Sequence, residues 1–251
     1  MGIKFVIACA PRVGSTLLVR TLNRLDGLCC HGELLNGPIV RGIEDDFDEL
    51  AATRQQRDDR AHRLLRARND DPVGFIQSAL STRHQAAGFK ALYEAILNPR
   101  WKGVVDSLLS TPNLRFIHLT RDNSLRRYIS ERVVLEGGPI HSGLGGRSEN
   151  PVKVSVDIDA YLRRAAEIEE EARRLGELLA NQEVLNVSYK ELATDAPATV
   201  AKVCQFLGFD PGDARIAPAL RKVGAMDLDN AVMNYQDLLN NEATRAMALT
   251  E

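Results

Sequence analysis

Net charge is almost absent from this chain. Its 32 Lys and Arg residues stand against 34 Asp and Glu, which leaves −2 at neutral pH over 251 residues. A general nucleic-acid or membrane-surface binder is usually basic overall, so neither partner is expected and any cationic site has to be local. Cysteine is scarce: Cys9, Cys29, Cys30 and Cys204 contain no C-x-x-C pair. No disulfide framework is expected, and a reducing, cytoplasmic compartment is. Cys9 and Cys204 lie in apolar stretches and read as buried thiols. Long apolar runs are missing as well. None approaches the roughly 20 residues that span a bilayer. The N-terminal run is short and leads straight into a loop, so it does not read as a leader. Repeats and composition breaks are also lacking. With 44% hydrophobic residues, the chain has enough apolar material for one large core, and a single domain over residues 1–251 is expected.

What is present begins at Ile3. Ile3, Lys4, Phe5, Val6, Ile7 and Ala8 form a short, nearly all-apolar run, as in a parallel strand buried on both faces. Pro11, Arg12, Val13, Gly14, Ser15 and Thr16 follow as a tight loop, and Leu17, Leu18, Thr21, Leu22 and Leu25 then recur at helical spacing. Strand, Gly-containing loop and helix N-terminus together make an anion cradle, because loop N–H groups and the first unsatisfied helical N–H groups converge there. A Walker A loop would require G-x-x-x-x-G-K-[ST]. Here Ser15 stands where that lysine would be, and the fixed positive charge comes earlier, from Arg12. Such a cradle suits a 5′-phosphate group without the usual lysine and magnesium.

Pro11-Arg12-Val13-Gly14-Ser15-Thr16-Leu17-Leu18 resembles the phosphosulfate loop, P-[KR]-x-G-[ST]-[ST], of sulfotransferases that use 3′-phosphoadenosine 5′-phosphosulfate (PAPS). Val13 stands where the family more often has Ser or Thr. The resemblance implies that Arg12, Val13, Gly14, Ser15, Thr16 and Leu17 hold the 5′-phosphosulfate. It also implies an α/β fold of P-loop NTPase-like type, three layers around a central parallel sheet. The strand–helix alternation along the chain independently predicts an α/β domain with a parallel sheet.

Later segments extend the likeness. Leu28 to His31 reads as a second strand emptying into Gly32-Glu33-Leu34-Leu35-Asn36, and loops at strand carboxyl ends face the ligand crevice of an open α/β sheet. Cys-His-Gly-Glu-Leu-Leu-Asn is similar to the corresponding segment of bacterial sulfotransferases related to nodulation-factor and trehalose sulfation. Carried over, the base that deprotonates the acceptor is Glu33, with His31 second. A surface turn with two ordinary polar residues is the plainer reading. Ala87 to Tyr93 reads as a third strand with Lys90 leaving its carboxyl end. The Gly-Phe-Lys step resembles the family's strand whose basic residue lies near the transferring group, so Lys90 is implied to stabilise charge on the leaving phosphate. The plainer reading is a lysine reaching solvent.

Leu114 to Thr120 is the clearest central strand, ending in Arg121-Asp122-Asn123, with Asp122 expected to cap the following helix. This resembles the family's second signature, in which a strand-end arginine and a helical serine hold the 3′-phosphate. Arg121 and Ser130 are the matches, with Ser130 one residue further along than usual and Arg126 and Arg127 as additional charge. Tyr189, in a Y-x-x-L step, is the match for a tyrosine near the adenosine, with a core role equally open. Lys222 lies in a C-terminal region from which related enzymes bring basic residues over the 3′-phosphate. Arg54, Arg57, Arg60, Arg63, Arg66 and Arg68 sit among acidic residues and read as a solvated helix face, the alternative being a cationic wall for an anionic acceptor. Residues 136–151, rich in glycine, serine and proline, read as a lid or a mobile loop. Trp101 reads as packing, and residues 228–239 as a docking helix.

The function implied is sulfuryl transfer from PAPS to a hydroxyl of a carbohydrate or small-metabolite acceptor, with no metal required and adenosine 3′,5′-bisphosphate as the product. Oligomeric state, homo-oligomer included, is open. Two other classes stay open at this point: a P-loop kinase or NTPase, weakened by the missing Walker lysine, and a non-catalytic nucleotide-binding protein.

Overall fold

A computed structural model describes residues 2–40, 42–43, 53–81, 83–138, 152–212 and 228–250. In chain order the strands and helices are β1 (Ile3–Cys9), α1 (Ser15–Leu22), β2 (Leu28–Glu33), α2 (Arg54–Asp70), α3 (Pro72–Ala79), β3 (Ala86–Leu92), α4 (Tyr93–Ile96), α5 (Lys102–Leu109), β4 (Leu114–Thr120), α6 (Ser124–Leu135), α7 (Ile158–Leu178), β5 (Glu183–Ser188), α8 (Tyr189–Thr194), α9 (Ala196–Leu207), α10 (Leu228–Ala231), α11 (Tyr235–Asn240) and α12 (Glu242–Leu249).

The five strands form one sheet in the order β2-β3-β1-β4-β5, every pair parallel. β1 lies at the centre, and its residues Phe5 to Cys9 are fully buried. That accounts for its continuous apolar run, since a parallel strand covered by helices on both faces has no polar side to alternate with. Close packing of β1 on β3 needs Gly88: it pairs with Phe5, and a Cβ there would lie 2.5 Å from the Phe5 ring. The chain reaches β3 on one side of β1 and β4 on the other, so the crevice at this switch in direction opens above the carboxyl end of β1, where the loop leaves.

Helices flank the sheet, and the main core joins it to α1, α3, α5 and α9. A second cluster gathers Leu125, Ile129 and Val133 of α6 with Tyr161 of α7 and Leu228, Val232 and Leu238 from the C-terminal segment. Over residues 228–239, where a single docking helix was expected, the chain forms two short helices, and Val232 between them pairs with Val154 in a parallel bridge. α6 is capped by Asn123 and not by Asp122: Asn123 Oδ1 accepts the Arg126 N–H at 2.9 Å. Asn123 Nδ2 also donates to the Met247 carbonyl at 2.8 Å and Arg126 Nε to the Thr250 carbonyl at 2.8 Å, which latches α12 to the start of α6. Arg126 is thereby used in the fold. No helix among the described residues is long and apolar enough to cross a membrane.

Candidate active site

The loop after β1 holds two residues in left-handed backbone. Gly14 has φ +82 and Arg12, a non-glycine residue, has φ +66. A left-handed backbone at a residue with a Cβ costs roughly 1–3 kcal/mol, and such residues persist where neighbours fix them. Two contacts do so here. Arg121 Nη1 donates to the Arg12 carbonyl at 3.2 Å, and Arg12 Nε donates to Ser130 Oγ at 3.1 Å. α1 starts directly after Gly14 with no side chain capping it, so its first N–H groups remain available to an anion. Val13, Ser15 and Thr16 are buried and Leu17 half-buried behind the loop. The Ser15 side chain hydrogen-bonds the Cys9 thiol, which burial pushes up to about 11 against the opposing charge of Lys90.

Arg121 leaves the end of β4, and its guanidinium lies 4.5 Å over the ring of Tyr189, the first residue of α8. The other neighbour of that ring is Gly14, where a Cβ would come within 2.6 Å of it. The tyrosine is therefore wedged between the loop and Arg121, and glycine is the residue that fits opposite it. Burial lowers the Arg121 guanidinium from its ordinary value; Tyr189 opposes this, while Arg126, Arg12 and Arg127 add to it. Burial likewise lowers Arg12, opposed by Glu131 and Glu33. Packing half-buried cations this closely costs free energy that a bound anion would offset.

On the β2 side, Glu33 Oε1 is 2.7 Å from Lys90 Nζ, and Glu33 Oε2 accepts from Asn36 Nδ2 at 3.0 Å. Lys90 does not leave the end of its strand: it lies within β3, paired with Ile7, and is 6% exposed. His31 does not join Glu33. A break in register between the two pairs His31 with Phe89 and Glu33 with Lys90, and Phe89 and Lys90 point to opposite faces of β3. The irregularity at Gly32 thus reverses the expected same-face placement of residues two apart. His31 is 1% exposed, with Nε2 2.9 Å from the Ala79 carbonyl of α3. It is a core histidine held against α3.

Sequence reasoning missed Arg68. His62, Arg63 and Arg66 of α2 are exposed, as a solvated face requires, but Arg68 is fully buried. Its Nη1 donates to the carbonyls of Leu34 at 3.2 Å and of Asn36, and its Nη2 to that of Gly37 at 3.0 Å. Arg68 also stacks 4.9 Å from Trp101, whose ring carries Arg100 at 4.5 Å. The residue fixes the turn that presents Asn36 to Glu33. A buried carbonyl left without a donor, such as that of Leu34, costs about 1–3 kcal/mol, and the packing of the guanidinium on Trp101 is lost as well. Arg68→Ala is expected to lower unfolding free energy by about 3 kcal/mol or more in urea titration, with Arg68→Lys falling between the two.

A profile of the sulfotransferase family matches residues 5–213, from the start of the buried strand through the end of α9. The chain belongs to the sulfotransferase family. One solved structure supports the fold, and two more are similar to the chain at lower scores. A sulfotransferase domain from the curacin biosynthetic pathway is 17% identical, covers 98% of this chain and 89% of its own, and has a TM-score of 0.51. A sulfotransferase from Alicyclobacillus acidocaldarius is 16% identical over 99% of this chain and 93% of its own, with a TM-score of 0.48. Mouse sulfotransferase SULT7A1 complexed with PAP is 14% identical over 84% of this chain and 59% of its own, with a TM-score of 0.47. No curated protein matches.

The expected PAPS-dependent sulfotransferase assignment, and with it the α/β fold of P-loop type, therefore stands. In this sulfotransferase Arg12, Gly14, Arg121, Ser130 and Tyr189 converge, with Glu33 and Lys90 alongside on β2 and β3. Lys222 and most of the 136–151 loop lie outside the described residues.

Proposed function

We propose that this sulfotransferase binds PAPS between the Arg12–Thr16 loop and Arg121, and moves its sulfuryl group to a hydroxyl of a carbohydrate or small-metabolite acceptor. The observation that carries the reading is the direct tie between the two cationic elements. Arg121 bonds the Arg12 carbonyl and Ser130 bonds the Arg12 side chain, so one rigid unit presents both guanidinium groups. The residues fit the nucleotide: an uncapped helix N-terminus and a glycine at positive φ suit a 5′-phosphate, and the planar fork of Arg121, tied through Arg12 to the Ser130 hydroxyl, suits a 3′-phosphate. When bound, PAPS supplies a sulfuryl group on a phosphate leaving group.

The chain's own residues supply positioning, a base and fixed positive charge. Glu33 accepts the acceptor's hydroxyl proton as general base. Lys90 and Asn36 hold its two oxygens, so the carboxylate is oriented before the acceptor arrives. Asn36 Oδ1, buried with no partner, offers a first hydrogen bond to an incoming hydroxyl. Arg12, the loop N–H groups and Lys90 stabilise charge on the departing phosphate oxygen, which is electrostatic catalysis by groups already in place. Tyr189 keeps Arg121 aligned by stacking. Family membership leaves the kinase and non-catalytic readings without support.

A thermal-shift screen tests the proposal. PAPS and adenosine 3′,5′-bisphosphate are expected to raise Tm without added metal, and ATP with magnesium or GTP to leave it unchanged. A shift that needs magnesium, or one with GTP alone, would overturn the cofactor assignment.

A further inference from the structure

Arg127 is the residue the fold leaves unexplained. It sits on α6 one turn before Ser130 and is 1% exposed. Its Nη1 is 2.8 Å from Glu131 Oε2. Its Nε and Nη2 are buried and have no hydrogen-bond partner; the only other such side-chain atom among the described residues is Asn36 Oδ1. Unpaired donors on a buried charge are expensive, and a native structure tolerates them where something absent completes them. Nε–H and Nη2–H project from the same edge of the planar guanidinium. That edge takes two oxygens of one carboxylate, sulfate or phosphate side by side.

The surroundings place Arg127 beside the phosphate loop. Ser130, one turn along the same helix, receives the Arg12 side chain, and Glu131, the partner of Arg127 Nη1, also acts on Arg12. The charge of Arg127 is felt by Arg121, by Glu171 of α7 and by Tyr93, whose hydroxyl bonds the backbone of Ala10 where the loop begins. Arg126, next in sequence, is turned to the C-terminus instead.

We propose that Arg127 is a third guanidinium of the site, whose free Nε–Nη2 edge clamps a two-oxygen anionic group of a bound substrate. The inference rests on the sulfuryl-transfer reading. The anionic group has two sources of the same chemistry, a phosphate of the nucleotide or an acid group on the acceptor. Arg127 then reads the charge of what enters beside Arg121.

The test compares wild type, Arg127→Lys and Arg127→Gln. Lysine keeps the charge beside Glu131 but lacks the fork, so a purely structural ion pair is rescued by lysine and a clamp is not. Titration calorimetry with adenosine 3′,5′-bisphosphate is expected to show binding weakened about ten- to hundredfold in both variants if the nucleotide supplies the anion. If that affinity is unchanged, sulfate and benzoate are titrated into the nucleotide-saturated proteins at constant ionic strength. A Tm rise in wild type that both variants lose assigns the clamp to the acceptor. Variants that match wild type in both titrations, or full recovery with lysine, overturn the clamp. Failure of wild type to bind the bisphosphate overturns the proposed function instead; sulfate titrated into the free protein then still decides whether Arg127 holds an anion.

Discussion

Arg12→Ala and Arg121→Ala are each expected to abolish tight binding of adenosine 3′,5′-bisphosphate, with affinity falling at least about a hundredfold in calorimetry. Hydrogen bonds to charged groups are worth about 1.5–3 kcal/mol each, and a planar guanidinium makes two to one phosphate. Two such bonds lost is therefore a factor on the order of a hundred or more. The two variants also share a cause. Arg121 holds the Arg12 carbonyl at a residue with φ +66, so removing Arg121 frees the strained loop as well as one cation. Removing Arg12 leaves Ser130 without its donor. Because the groups act as one unit, the double variant is expected to bind little worse than either single one. Full retention of affinity in either single variant would contradict the site assignment.

Glu33→Gln is expected to lower kcat by about a hundred- to ten-thousandfold, the usual size of a general-base contribution, with bisphosphate affinity changed only severalfold. The amide has the shape of the carboxylate and still accepts from Asn36, so the turn is kept. It cannot take a proton, and it leaves Lys90 without its counter-charge. Turnover is followed with any hydroxyl acceptor that supports it. A kcat close to wild type would mean that another group takes the proton. His31→Ala offers the contrast. Its ring is packed against α3, so its removal is expected to lower stability and to leave kcat largely intact.

What could be read from the residues was what local order encodes. β1, its loop and α1 are consecutive, and buried strand, glycine turn and uncapped helix are each written in neighbouring positions. The strand-end placement of Arg121 was equally local. What escaped was set by pairing at a distance. The face of His31 depends on a register break against β3, which no alternation within β2 reveals. Arg68 looks like its exposed neighbours in α2 until the carbonyls of residues 34 to 37 fold against it. Lys90 was expected at the carboxyl end of a strand running to Tyr93, but pairing with β2 sets its ammonium against Glu33, a neighbour no residue within β3 announces.

A crystal structure of the complex with adenosine 3′,5′-bisphosphate tests the central claim most directly. The account predicts the 5′-phosphate against the N–H groups of the Arg12–Thr16 loop and the 3′-phosphate against Arg121 and Ser130. A nucleotide bound elsewhere, or one whose two phosphates leave both guanidinium groups uncontacted, would contradict it.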